Sequence, residues 1–239
     1  MCLLFRKYAG LKNNMVINKI NFPIYGILII LSLTIGMIFN YIYLRKNKIQ
    51  KEKIILFTFM LIVYGIFGGI FLNAIVNKEI NQIGLSSYGG AIGILIATLI
   101  FEKMSNSKGI FIKSAILNLP LIYSISKLSC FFAGCCYGIP YNGIFSVTYT
   151  EGLNIPLFPV QLAETIVFFM VFIFSVLNIK NQNIIEITII LSAISKFLLD
   201  FLRYSHLENG LSVNQWISIG FVVIGIVILI KKKEFWNKN

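Results

Sequence analysis

The sequence predicts an all-α, polytopic membrane protein: one integral membrane domain, residues 1–239, with seven transmembrane helices. Three observations carry this. Hydrophobic residues make up 57% of the chain and charged residues only 13%, about half the charged share of a soluble domain. Apolar runs recur along the whole length; at about 20 residues per crossing, seven would use about 140 residues and leave no room for a large extramembrane domain. The net charge of +12 lies mostly in short clusters between those runs. It therefore reads as a topology signal on an anionic membrane face, and no nucleic-acid partner is expected.

Taken in order, residues 1–19 mix Arg6, Lys7, Lys12 and Lys19 with short apolar pieces. They lack a long apolar region and a small-residue cleavage site, so no cleaved signal peptide is expected. The first span, about 23–44, carries Tyr25-Gly26 near one end, most simply an interfacial anchor. The second, about 54–76, is uncharged throughout. The third, about 85–101, opens Ser-Ser-Tyr88-Gly89-Gly90 and has Gly93 one turn on, a small face that admits a close neighbour. The fourth, about 115–138, contains Lys127 and ends with Gly134 and Gly138 at small-xxx-small spacing. A loop, 139–158, follows with no Lys or Arg and with Tyr141, Phe145 and Tyr149, a composition suited to the lipid interface. The fifth span, about 160–179, starts after Pro159, which is preorganised for a helix start. The sixth, about 184–204, holds Lys196, Asp200 and Arg203, and the seventh, about 213–230, ends at Lys231-Lys232-Lys233.

Counted on alternate sides, 13 Lys and Arg fall in the loops after spans one, three and five plus the C-terminal tail, against six on the other side. Lys127 and Lys196 complete the 21. The positive-inside rule then places the N-terminus outside and the C-terminus in the cytoplasm of a bacterial plasma membrane.

Charges at membrane depth cost a few kcal/mol each and need a partner, a water path or a function. Lys196, Asp200 and Arg203 stand at i, i+4 and i+7, which on a continuous helix puts them on one face. The flanking Phe197, Leu198, Leu199, Phe201 and Leu202 point that face into the bundle. Gln161 and Glu164 share a face in the first turn of span five, where the helix dipole already favours a carboxylate. Three of the four cysteines lie between Cys130 and Cys136. Their C-x4-C-C spacing lacks the paired C-x-x-C of a zinc site and the chain has one His, so no metal and no cofactor is expected. As small buried groups the thiols need no role; near Lys127, one of them becomes a candidate thiolate.

Together these stretches resemble the prolipoprotein diacylglyceryl transferase family across nearly the whole chain. Tyr25-Gly26-Ile-Leu resembles the family's early Tyr-Gly-Leu, and Tyr88-Gly89-Gly90 its His-Gly-Gly with the His replaced. The run from Lys127 through Cys130, Gly134, Cys135, Cys136 and Tyr137 to Gly138 falls where the family has Gly-Arg-x-Gly-Asn, Asn-Gly-Glu, then an aromatic and Gly. Phe158-Pro159-Val-Gln161-Leu-Ala-Glu164 resembles His-Pro-Ser-Gln-Leu-Tyr-Glu, and the segment from Lys196 to Arg203 resembles Arg-x-x-x-Glu-Phe-x-Arg. Gly210-Leu-Ser212-Val-Asn-Gln215-Trp-Ile-Ser218 resembles the Gly-Leu-Ser-x-Gln-x-x-Ser entry to the last helix.

The resemblance implies transfer of a diacylglyceryl group from phosphatidylglycerol to the lipobox cysteine thiol of a prolipoprotein, by a membrane-embedded monomer. It implies Tyr25, Tyr88, Lys127, Glu164, Lys196 and Asp200 as catalytic residues. Gly89, Gly90, Cys130, Gly134, Gly138, Gln161 and Arg203 are implied as substrate-binding, with Arg203 best suited to a phosphodiester because its planar fork pairs two oxygens. Two other readings stand beside this one: a lapsed homologue that binds lipid without turnover, and an enzyme that uses Cys130, Cys135 and Cys136 for different thiol chemistry.

Overall fold

The structure is a computed structural model, which describes residues 15–17, 22–77, 86–149, 153–206 and 210–237. Seven long helices follow one another: α1 (Phe22–Lys46), α2 (Lys51–Asn77), α3 (Ser87–Ser105), α4 (Ile110–Phe132), α5 (Val160–Leu177), α6 (Ile184–Asp200) and α7 (Val213–Asn237). The protein is an all-α, multi-pass membrane protein. Among the described residues, six helices are long and apolar enough to cross a bilayer. The exception is α6, with 17 residues and the buried Glu186, Lys196 and Asp200; the expectation of seven apolar crossings is therefore met by six.

Helix α4 is the hub. Of its apolar window 56% is buried, against 17% for α7, and it packs on α1, α3, α5 and α6. The other helices turn residues such as Ile30, Phe59, Phe67 and Met170 outward, the surface that lipid rather than water accommodates. At the end of the bundle where α4 begins, Phe57, Phe101 and Phe111 pack ring to ring at centroid distances of 4.8–5.2 Å. There the Glu102 carboxylate accepts hydrogen bonds from the Gly109, Phe111 and Ile112 amides at 2.7, 3.0 and 3.2 Å. One side chain thus satisfies three donors at the start of α4 that the helix itself leaves unpaired.

Helices α2 and α3 approach through glycine. A Cβ on Gly89 would lie 2.2 Å from the Gly68 carbonyl oxygen, and one on Gly93 2.0 Å from that of Tyr64. The expected small-residue face is real, and it meets α2 backbone to backbone.

Two boundaries differ from the sequence reading. Span four was expected to run to 138, but α4 stops at Phe132 because Gly134 takes a left-handed φ of 61°, and the Gly134 and Cys135 amides fold back to the Phe131 and Cys130 carbonyls. Span six was expected to run to 204, but α6 stops at Asp200, so Arg203 lies in the turn beyond it and not on the helix face shared by Lys196 and Asp200.

The described residues of the loop 139–158 fold back on one another and on the end of α4. Val147 and Leu157 exchange both backbone hydrogen bonds at 2.9 Å, and Phe158 donates to Ile139 at 2.9 Å. Val147, Tyr149 and Leu157 pack inward on Phe131, while Ile144 and Phe145 stay exposed. A short parallel pair, β1 (Met15–Ile17) with β2 (Val147–Tyr149), ties the N-terminal region to this loop. Nothing in the sequence pattern pointed to a strand there.

Candidate active site

The N-terminal ends of α3, α5 and α7 and the C-terminal ends of α4 and α6 meet under the 139–158 loop, and the singled-out polar residues collect there. At the centre is Glu164, fully buried one turn into α5. Its carboxylate lies 3.1 Å from Lys127 Nζ, 2.6 Å from Lys196 Nζ and 2.8 Å from Arg203 Nη2; Nη2 also donates to the second oxygen at 3.1 Å. The Tyr123 hydroxyl donates to Glu164 at 2.8 Å and accepts from Lys196 at 2.7 Å. Its ring lies 5.0 Å from the Lys127 ammonium and 5.3 Å from that of Lys196, within cation–π range.

Asp200 is buried beside this centre. It accepts a hydrogen bond from Ser212 Oγ, and its other oxygen faces Arg203 Nε at 3.3 Å without forming a hydrogen bond. Ser212 also opens α7 as a reciprocal cap: it accepts from the Gln215 amide at 3.1 Å, and Gln215 Oε1 accepts from the Ser212 amide at 2.9 Å. The helix start and the site share one hydroxyl. Tyr88, in the first turn of α3, hydrogen-bonds Ser218 of α7 and stacks on Phe221 at 6.1 Å.

By formal charge, three cations thus face two carboxylates, one positive charge in excess, with four of the five groups buried and Arg203 half-buried. An excess charge out of water calls for a counter-ion. Arg203 Nε is buried and, although ion-paired with Asp200 Oδ1 at 3.3 Å, makes no hydrogen bond among the described residues.

Beside the cluster, the turn after α4 gathers Cys130, Cys135 and Cys136, whose Sγ atoms all lie within 4.8 Å of one another. Gln161 donates to the Cys135 carbonyl at 2.6 Å, and Tyr25 stands in the first turn of α1. The absence of a C-x-x-C pair had counted against a metal here; the helix-ending turn supplies the proximity that the spacing lacks. Next to this turn, burial and the neighbouring Tyr137 push the Tyr149 phenol up from its ordinary range.

The glycines have other tasks. Gly89 is taken up by the α2–α3 seam, and Gly90 lies on the same seam with more room, since a Cβ there would stand 3.5 Å from the Gly65 carbonyl oxygen. Gly134 makes the helix-ending turn. Gly138 pairs with Arg203 in an antiparallel bridge, where a Cβ would stand 2.1 Å from the Phe158 carbonyl oxygen; it lets two chain segments close around Arg203.

Residues 14–231 match the model of a single family, described as prolipoprotein diacylglyceryl transferase. The chain belongs to this family. Relatives agree: the phosphatidylglycerol–prolipoprotein diacylglyceryl transferase of Clostridium tetani is 27% identical over 85% of this chain and 90% of its own. That of Clostridioides difficile is 28% identical over 90% and 92%. The enzyme of that name from Chloroherpeton thalassium is 30% identical over 61% of this chain, which spans only 59% of that relative's length. Family membership supports a transferase role of the diacylglyceryl-transfer type.

Within this family member, sequence reasoning overlooked Tyr123, although it precedes Lys127 by four residues and shares its helix face. Ser212 and Ser218 were seen as part of the motif that opens the last helix but were given no role at the site. Ser212 carried the further signal of a Ser-x-x-Gln helix start, while the contact of Ser218 with Tyr88, 130 residues away, is visible only in the fold.

Proposed function

We propose that the chain transfers the diacylglyceryl group of phosphatidylglycerol to the thiol of a lipobox cysteine in a prolipoprotein signal peptide, releasing glycerol phosphate. The observation that carries this reading is the buried cluster with one positive charge in excess. A phosphodiester brings one negative charge, and a second develops on the leaving phosphate, so fixed cations in a site shielded from water stabilise the transition state more than the ground state. Arg203 supplies its Nε–H, ion-paired with Asp200 but not hydrogen-bonded to it, for a phosphate oxygen. Lys127 and Lys196 add point charges, and Glu164 holds all three cations in place. Asp200, set by Ser212, orients Arg203, while Tyr88 is held against α7 by Ser218.

In this reading α6 completes a seventh crossing, its charges neutralised against α4 and α5. The protein is then a monomer of the bacterial plasma membrane with the site at the outer face, where lipid enters sideways and the signal peptide arrives from the secretion side. The test is transfer of labelled diacylglycerol from phosphatidylglycerol vesicles to a lipobox peptide by the purified chain, with rescue of a cell depleted of its own transferase. Rescue by the parent and failure by Arg203→Ala support the reading; no transfer and no rescue by the parent sink it.

A further inference from the structure

The three thiols at the end of α4 are not used by the charge cluster, and they do not behave as core filling. Cys130 and Cys135 are half-buried and Cys136 is exposed, whereas cysteines that serve as small apolar residues are among the most buried of all. The backbone is bent to bring them together. Gly134 takes φ 61° and Cys136 takes φ 57°. For a residue with a side chain the left-handed region costs roughly 1–2 kcal/mol and is held only where the surroundings enforce it. The Cys135 amide reaches back to the Cys130 carbonyl at 3.1 Å, and Gln161, itself fully buried, grips the Cys135 carbonyl.

We infer that Cys130, Cys135 and Cys136 form a three-thiolate site for a soft divalent cation of the zinc class, with its fourth position open to the acceptor thiol. Thiolates around a tetrahedral zinc at about 2.3 Å stand about 3.8 Å apart, so sulfurs already within 4.8 Å of one another need a movement of no more than about an ångström. The ligand type selects the metal class: sulfur excludes magnesium and calcium and suits zinc. Three protein ligands and one open position are the arrangement of a catalytic rather than a structural site.

The role of the open position rests on the transferase reading. The acceptor thiol would coordinate there and give up its proton to water, as a metal-bound thiol does. Its sulfur then forms a bond to the glyceryl carbon that carries the phosphate. The carbon–oxygen bond breaks, its electron pair leaves on the phosphate oxygen held by Arg203, and glycerol phosphate departs. The thioether product is a poor ligand and vacates the position. No oxidant or reductant is needed.

The probe is Co2+, added to the full chain purified in detergent under anaerobic, reducing conditions. One equivalent should bind with thiolate-to-cobalt charge-transfer absorption, and Zn2+ should displace it. Cys130→Ser, Cys135→Ser and Cys136→Ser should each weaken binding at least tenfold without changing the elution profile or thermal midpoint. Protection of the parent's thiols from alkylation by Zn2+ gives a second readout that needs no variant. A lipobox peptide should shift the cobalt visible bands, and the same peptide with serine for cysteine should not. Absence of a charge-transfer band, or unaltered binding in the triple serine variant, overturns the site. A normal cobalt spectrum with no peptide shift, or transfer that survives metal removal, overturns the role of the fourth position. A normal spectrum and peptide shift in a chain that transfers no lipid keeps the metal site and removes the transferase reading alone.

Discussion

Glu164 concentrates the risk of the whole site in one side chain. It carries the only carboxylate in contact with all of Lys127, Lys196 and Arg203 among the described residues, and each of those cations is buried or nearly so. Breaking a buried ion pair by removing one partner costs about 3–5 kcal/mol, because the other charge is left uncompensated. Glu164→Gln keeps shape but strands three cations, so a fall in thermal midpoint of several degrees is expected along with loss of transfer; an unchanged midpoint in detergent would show that the cluster is not built around this residue. Arg203→Lys tests the other partner. Lysine keeps the charge, but it cannot span both Glu164 oxygens and also offer a donor from the Nε position. Transfer should fall by roughly 10²-fold, the scale seen when one positioned donor is lost, while insertion and folding persist. At this scale the sequence was legible where chemistry is rare: a Lys, an Asp, a Glu and an Arg within apolar runs announce themselves. Tyr123 hid because an aromatic residue in a membrane helix is ordinary, and its bridging role depends on Lys196 arriving from another helix.

The helices were the legible part of the fold, since continuous apolar runs of the right length have few alternatives in a membrane. Their ends were less so. Gly134 sits in a run that stays apolar to Tyr137, and only its left-handed conformation ends α4 at Phe132; a hydropathy pattern carries no such information. The β1–β2 pair was illegible for a different reason, because Met15–Ile17 and Val147–Tyr149 meet only through tertiary contact. The α2–α3 seam gives a prediction at this scale. Gly89 and Gly90 stand side by side in the motif, and the resemblance assigns both to substrate. The geometry separates them: an added methyl at Gly89 meets backbone at 2.2 Å, at Gly90 at 3.5 Å. Backbone cannot step aside as a side-chain tip can, so Gly89→Ala should destabilise the protein by about 1–3 kcal/mol, and Gly90→Ala should leave the thermal midpoint near the parent's. If Gly90→Ala is folded and loses transfer, its role is toward substrate. Equal destabilisation by both would mean that the helices do not cross where Gly68 meets Gly89.

At the scale of the whole molecule, two asymmetries point the same way. Lys and Arg gather 13 to six on one set of loops, and the polar site gathers at the opposite end of the bundle. Helix α4 shows why the two belong together. It enters beside the aromatic trio of Phe57, Phe101 and Phe111 and leaves at the thiol turn, so one central helix joins the basic end to the reactive end. On the proposed reading, with a lipid phosphate as the counter-ion and an acceptor from a secreted precursor, the site belongs on the side away from the positive loops. Reporter fusions after Lys48, after Lys108 and at Asn239 should therefore read cytoplasmic, and a fusion within the loop 139–158 external. Residue 152, the natural centre of that loop, falls outside the described residues, so the exposed Ile144–Phe145 tip is the better insertion point. The same set tests α6. With its 17 residues it must cross for the loop after α5 and the start of α7 to lie on opposite sides, and Lys180 and Gly210 fusions would then differ in sign. A Lys180 fusion that reads the same as Gly210 would make α6 a re-entrant helix, place an even number of crossings in the chain and put the C-terminal lysines outside, against the charge that otherwise holds them in.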